Sequence, residues 1–474
     1  MINFFTTVIS ILFWFVIILV PLVAVHELGH LLMSRLFGVK VPEYAIGLPL
    51  SKRTFYKRWN GIIWSFYWPL FGGFVRIYGD NDAIDEAWET AKVDPKKAKE
   101  NYVPNRIQEI LANRELNFFL EDNGLEYTKE WQQFDKSGYA RGIEIADKTL
   151  EKQYKKTYDQ LSTLIEWEYD KQLNSNETFF KKNWIQQSLI ISGGVLFNMI
   201  AAVMLFWILF GGLGISNTLY PVDQFGDLTK NANITATSDF ISGAIIKDTT
   251  ASKAGLQNGD KIYKFAGKNA TEIKSQQDFV DLVQANKDQT VEIQYKTSGS
   301  DELKTTSTTI LKNDKGEYKF GIGNILKEIS FKAKNPIAGI NMAFNQTGLV
   351  VEQTFTVLGD IFEALLPNND KTVLEYVGGP VAVGSISSKI FGAQGVQGIL
   401  NIMAAISINL AVLNLLPIPA LDGGRWVILT INKITKKRNL KVEAAIISVT
   451  FLMMIGLAIF IAFRDVQGVI GGRY

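Results

Sequence analysis

VISILFWFVIILVPLVAVHELGHLLMSRLF, Val8–Phe37, decides how this chain is to be read. The run is apolar and longer than the roughly 20 residues a helix needs to cross a bilayer. Yet its second half carries His26, Glu27 and His30. Two imidazoles and a carboxylate are costly inside a span unless something offsets them. On a helix, residues four apart share a face, so His26 and His30 can address one metal ion. Glu27 is rotated away from that line but stays near enough to take a proton from an attacking water. These are the only two histidines among 474 residues, and there is no cysteine. Disulfides and thiolate sites are therefore excluded, and any further metal ligand must be a carboxylate.

The rest of the chain alternates in polarity. Its 47% hydrophobic content coexists with 20% charged residues, so apolar and charged blocks must be segregated. A net charge of +2 does not point to a nucleic-acid partner. Three further runs are long enough to span: Ser188–Ile215, Ile399–Leu416 and Val442–Phe463. The first run has no basic start and no evident small-residue cleavage site, so it reads as a retained span and not a signal peptide. Lys/Arg clusters mark the cytoplasmic flanks: Arg35 to Arg58 after the first span, Lys181 and Lys182 before the second, and Arg425 to Lys441 between the last two. Both termini and the region from about Asn217 to Gly398 are then expected outside.

The expected fold is a mainly α membrane protein with four transmembrane helices. The first, with the HExxH pattern, covers 1–37, and a membrane-associated β-hairpin region covers 38–80. A cytoplasmic helical insert follows over 81–183, charged but rich in aromatics, and the second span over 184–216. Short β-prone runs over 239–310 suggest an extracytoplasmic α+β domain, and 335–398 reads as an amphipathic interfacial region. The third span is expected over 399–424 and the fourth over 442–463. Asp422, near the inner end of the third span, is the candidate third ligand, at a depth similar to His30 when counted from the basic flanks.

His26–His30 in the first span, with Asn414-Leu415-Leu416-Pro417-Ile418-Pro419-Ala420-Leu421-Asp422-Gly423 in a later one, resembles the site-2 protease family of intramembrane zinc metalloproteases. Three more stretches resemble its bacterial branch typified by the regulator of sigma-E protease. They are PLFGGFVRIYGD (Pro69–Asp80), ISGGVLFN (Ile191–Asn198) and GGPVAVGSI (Gly378–Ile386). Gly194 departs from the pattern, standing where the family commonly has Pro. ASKAGLQNGDKIYKFAGK (Ala251–Lys268) resembles part of a PDZ domain, with Gly255, Leu256, Gly259 and Asp260 as its carboxylate-binding loop. The 239–310 domain is then PDZ-like, single where the best-known relatives have two, and the insert is longer than the family's loop.

The resemblance implies one Zn2+ held by His26, His30 and Asp422, with Glu27 as general base. It implies a multi-pass protein of the bacterial inner membrane, active in regulated intramembrane proteolysis. Its partners would be the lipid bilayer and single-span membrane substrates. Those substrates would be anti-sigma factors first clipped by an upstream extracytoplasmic protease, or remnant signal peptides. A substrate helix must unwind before it can be cut, and the freed backbone needs new partners. Gly72, Gly73 and Phe74 on an edge strand, with the amides of Asn198 and Asn414, are the candidate substrate contacts. Two alternatives stay open: a membrane metalloprotease acting on soluble or prenylated chains at the cytoplasmic surface, or an inactive PDZ-bearing scaffold.

Overall fold

The computed structural model describes residues 2–47, 53–68, 70, 72–80, 94–112, 116–141, 152–246, 249–297, 300–312, 317–366, 378–435 and 440–470. Four helices among them are long and apolar enough to cross a membrane: Ile9–Leu36, Gly193–Leu213, Gln394–Leu415 and Ala445–Gly468. The chain divides into two compact units. One comprises Met1–Ala201, Gln353–Ser388 and Ile406–Tyr474, the other Ala202–Glu352 and Lys389–Ala405.

In the first unit the HELGH segment lies within one helix, Ile2–Leu36. Four strands follow: β1 (Glu43–Ile46), β2 (Arg53–Trp59), β3 (Ile62–Tyr67) and β4 (Gly73–Arg76). Asn60-Gly61, both at positive φ, turns β2 into β3, the two-residue hairpin that Asn-Gly favours. The sheet order is β2-β3-β1-β4, with β1 parallel to β3 and antiparallel to β4. Hairpins alone do not produce this sheet: the β1–β3 pairing is parallel and non-sequential. Glu43, 1% exposed, joins its strands. It accepts hydrogen bonds from Ser65 Oγ at 2.6 Å and Tyr67 Oη at 3.1 Å, with Arg76 at 3.6 Å. The Tyr44 hydroxyl donates to the Ala24 carbonyl at 2.6 Å, fastening the sheet to the HELGH helix.

The insert has a core of its own. Its helices Pro95–Ala112, Leu116–Asp122, Lys129–Arg141 and Lys155–Asn174 bury Ile107, Ile110, Leu116, Leu120, Phe134, Leu161 and Ile165 completely. The charged composition therefore covers a packed helical domain. Its end returns to the sheet region through Lys40 N donating to Glu177 O and Phe179 N to Tyr78 O.

The expected third span over 399–424 needs correction at its inner end. The helix Pro380–Leu415, broken at Gly395 (φ 59°, ψ −143°), stops before the Pro-Ile-Pro segment, and Asp422 opens a separate helix, Asp422–Thr435. Pro417 and Pro419 each lack the N–H that would continue the ladder, so the chain must unwind there. The region expected as interfacial over 335–398 contains the helix Pro336–Leu365 and the start of the helix from Pro380, with 367–377 outside the described residues. The GGP motif gains a structural reason. Asp465 on the last helix, Leu440–Ile470, is fully buried, and its carboxylate accepts from the Gly379 and Ala382 amides, capping the helix that starts at Pro380.

The second unit holds two sheets. Strands β7 (Lys261–Phe265), β8 (Lys268–Asn269), β9 (Thr290–Lys296) and β10 (Lys304–Thr309) are ordered β10-β9-β7-β8. The other sheet, β5-β11-β6, joins β5 (Ile215–Pro221), β6 (Ala232–Thr237) and β11 (Leu326–Ala333). The helix Gln276–Ala285, capped by Ser275 and Asp278, contributes Phe279 and Val283 to a core with Phe265, Ile293 and Phe320.

Candidate metal centre

The unwound Pro-Ile-Pro segment brings Asp422 back to the HELGH helix. His26 Nε2 and His30 Nε2 lie 3.2 Å apart, and Asp422 Oδ2 is 3.1 Å from the first and 3.3 Å from the second. A tetrahedral zinc with arms of about 2.0 Å separates its ligands by about 3.3 Å, so this triangle matches one face of such a site. Its chemistry calls for a cation. His30 Nδ1 stands 2.9 Å from the Ile190 carbonyl, which can only accept, so that nitrogen carries the proton and the Nε2 lone pair faces the triangle. Asp422 Oδ2 is buried and hydrogen-bonded to nothing among the described residues. Unshared electron pairs thus converge on one point, an arrangement a divalent ion stabilises and an empty space does not.

Close backbone approaches hold the triangle. A β-carbon on Gly29 or Gly193 would overlap the backbone of the other, so these two glycines let the HELGH helix and the helix Gly193–Trp207 touch. Gly194 lies against the rings of His26 and His30, where a β-carbon would collide with both. The departure from the family's Pro thus falls directly on His26 and His30. Gly423 and Gly424 similarly allow the start of their helix to fold against the carbonyls of Leu415, Leu416 and Ile418. Arg425 donates through one nitrogen to both oxygens of Asp80, at 2.7 and 2.8 Å, tying this helix to the end of the sheet region.

The substrate candidates fare differently from one another. Gly73 opens β4 and abuts Glu27: a β-carbon there would stand 3.0 Å from Glu27 Cγ. Gly72 precedes it at φ 76°, and Phe74 packs on Tyr67 with ring centroids 5.7 Å apart. Among the described residues β4 is an edge strand, paired on one side to β1. Asn414 is half-buried in the last turn before the Pro-Ile-Pro segment. Asn198 is fully buried, its amide 3.2 Å from His26 Nδ1. Trp184, read from sequence as an interfacial anchor, packs on Trp426 and donates to Thr430 Oγ1. Sequence reasoning missed Glu43, Ile190 and Asp80, whose roles depend on contacts far apart in the chain.

The stretch expected as a carboxylate loop, Gly255–Asp260, forms a turn in the second unit. Gly255 N, Leu256 N and Asp260 N donate to Ser252 O, Ala251 O and Gln257 O, and the Asp260 carboxylate accepts from Gln257 N at 2.9 Å. Leu256 is buried in the core, and Gly259 turns at φ 87°. Four amides of this turn, those of Gly255, Leu256, Gln257 and Asp260, are thus engaged within it, with the buried Asp260 acid among them. This is a self-closing turn.

The family model for peptidase family M50 matches residues 14–457. The chain belongs to peptidase family M50. It is 26% identical over 472 residues to the zinc metalloprotease RasP of Bacillus licheniformis, covering 96% of this chain and 98% of that protein. It is 27% identical over 459 residues to the probable protease eep of Enterococcus faecalis (96% and 98%), and 27% over 469 residues to the regulator of sigma-W protease RasP of Bacillus subtilis (96% and 97%). The M50 chain is a membrane zinc metalloendopeptidase of the site-2 protease type.

Proposed function

We propose that this protein cleaves single-span membrane proteins within their transmembrane segments, with zinc held by His26, His30 and Asp422. The triangle of 3.1–3.3 Å between their ligand atoms, with Glu27 one residue along the same helix, carries this reading. Bound zinc supplies Lewis-acid polarisation of the scissile carbonyl and acidifies water. Glu27 takes the proton of the attacking water and delivers it to the leaving amine nitrogen. The unwound substrate lies along β4, on its side away from β1, and β4 backbone groups replace those of the substrate's own helix. Asn414, close to Asp422 in sequence and half-buried, adds a side-chain hydrogen bond to that strand.

The distribution of Lys and Arg puts the insert and the 425–441 flank in the cytoplasm, with both termini and the 239–310 domain outside. That domain, read as PDZ-like from its sequence and its α+β make-up, gates entry of chains already clipped outside. The Bacillus subtilis relative is named as a regulator of a sigma factor. For this chain we infer a substrate class of anti-sigma factors after a first cut, or remnant signal peptides.

Cleavage of a panel of single-span substrates by detergent-purified wild type and Glu27→Gln tests the activity. Processing of soluble or prenylated chains in preference to membrane spans would reject the substrate class. Topology is read from single cysteines, because the chain has none of its own. Asp301→Cys should react with an impermeant reagent in intact cells while Gln133→Cys is protected, and the opposite pattern inverts the orientation.

A further inference from the structure

Resting on the ligand assignment above, we propose that Asn198 is a positioning residue that orients His26 by accepting a hydrogen bond from its Nδ1–H, and is not a substrate contact. His26 turns Nε2 toward Asp422 and His30, so for that nitrogen to present a lone pair, Nδ1 must carry the ring proton. The group facing Nδ1 is the Asn198 side chain, at 3.2 Å through its amide nitrogen. A donor cannot satisfy a donor. The other end of the same amide, Oδ1, is buried without a partner among the described residues.

Rotating the amide by about 180° replaces the donor that faces His26 Nδ1 with an acceptor, because oxygen and nitrogen are interchangeable in shape. Oδ1 then accepts from His26 Nδ1–H. This arrangement repeats what His30 does, where Nδ1 donates to the Ile190 carbonyl at 2.9 Å. Each imidazole is thereby locked in the tautomer that presents Nε2 to the metal, the usual outer support of a histidine ligand. Asn198 is itself held: it is fully buried, and Ser407 Oγ, also fully buried, donates to its carbonyl at 2.8 Å.

The two roles for Asn198 make opposite demands on its chemistry. Orienting His26 needs an acceptor, whereas binding a substrate carbonyl needs a donor. Asn198→Asp preserves the first and removes the second, because an ionised carboxylate only accepts. The experiment uses full-length protein in detergent, with zinc affinity measured by competition against a chromogenic chelator and the visible spectrum of the cobalt-loaded protein recorded alongside. Asn198→Ala should bind zinc about 10- to 100-fold more weakly and alter the cobalt spectrum. Asn198→Asp should hold zinc as tightly as wild type, with KM unchanged. Asn198→Ala binding zinc normally, with a raised KM shared by Asn198→Asp, would overturn the proposal in favour of substrate contact. If the alanine variant does not accumulate, the aspartate variant decides alone, because zinc held more weakly than by wild type rejects the acceptor role. His26→Ala/His30→Ala keeps the levels separate: zinc surviving there would overturn the ligand set itself.

Discussion

Two turns in this chain combine glycine with aspartate, LDGG at 421–424 and AGLQNGD at 254–260, and they end in opposite states. Asp260 is 3% exposed and gives its carboxylate to the Gln257 amide within its own turn. Asp422 Oδ2 is equally withdrawn from solvent, yet no described hydrogen-bond donor meets it, and two histidine nitrogens stand at 3.1 and 3.3 Å. Similar motifs therefore serve different ends: one closes a loop, and the other leaves an oxygen for something the protein does not itself contain. What separates them is the fate of the polar atoms: a buried acceptor without a partner is costly, and at Asp422 the two imidazoles beside it make a shared cation the group that would satisfy it.

The comparison breaks first at Asp422. Asp422→Ala should reduce bound zinc from about one per chain to a trace and abolish cleavage, as elemental analysis and a substrate assay would record. Glu27→Gln should instead retain zinc and lose about 10² to 10⁴ in turnover, the range for a missing general base. Near-normal turnover by this variant would remove Glu27 from the chemistry.

Carboxylates that are already engaged should register in stability. Glu43→Ala strands Ser65, Tyr67 and Arg76 around a vacated buried position, and should cost about 2–3 kcal/mol. The loss would appear as faster exchange of amide hydrogens across β1 and β3. Asp260→Ala should cost the second unit about 1–2 kcal/mol while leaving zinc content and basal cleavage unchanged. A variant of Asp260 that lost zinc would erase the contrast between the two turns.

The convergence of His26, His30 and Asp422 was legible because chemistry restricts it: two histidines four apart in a span, and one acid near the matching end of another, leave few alternatives. The supports around them were not. Asp80 and Arg425 meet across 345 positions, and Ser407 reaches the Asn198 carbonyl across 209. Gly29 and Gly193 look like ordinary spacers until their backbones touch. The end of the third span was misjudged because apolarity continues past Leu415 while the backbone, interrupted by Pro417 and Pro419, does not. For the Gly255–Asp260 turn, composition reveals a turn but not which hydrogen bonds its amides make. For the insert, charge announced the surface, and the buried aromatic and aliphatic core was visible only once its helices were packed.

A buried cation sharpens the comparison from the other side. Lys327 on β11 is 5% exposed. Burial lowers its pKa below the ordinary lysine value, nearby Lys274 lowers it further, and Asp278 only partly opposes them. A base with a depressed folded pKa destabilises the fold at every pH below that pKa, where folded and unfolded states both hold the proton. As pH rises toward the ordinary lysine value, the folded state releases the proton first, and the penalty shrinks. Lys327→Met keeps the unbranched stem without the charge, so it should stabilise the second unit by roughly 1 kcal/mol at neutral pH. Hydrogen exchange across β11 should slow accordingly, and the advantage over wild type should narrow in alkaline buffer. Zinc content should not move. An advantage that widened with pH would mean that Lys327 has a partner in solution, and that its ammonium, unlike the Asp422 oxygen, is already satisfied.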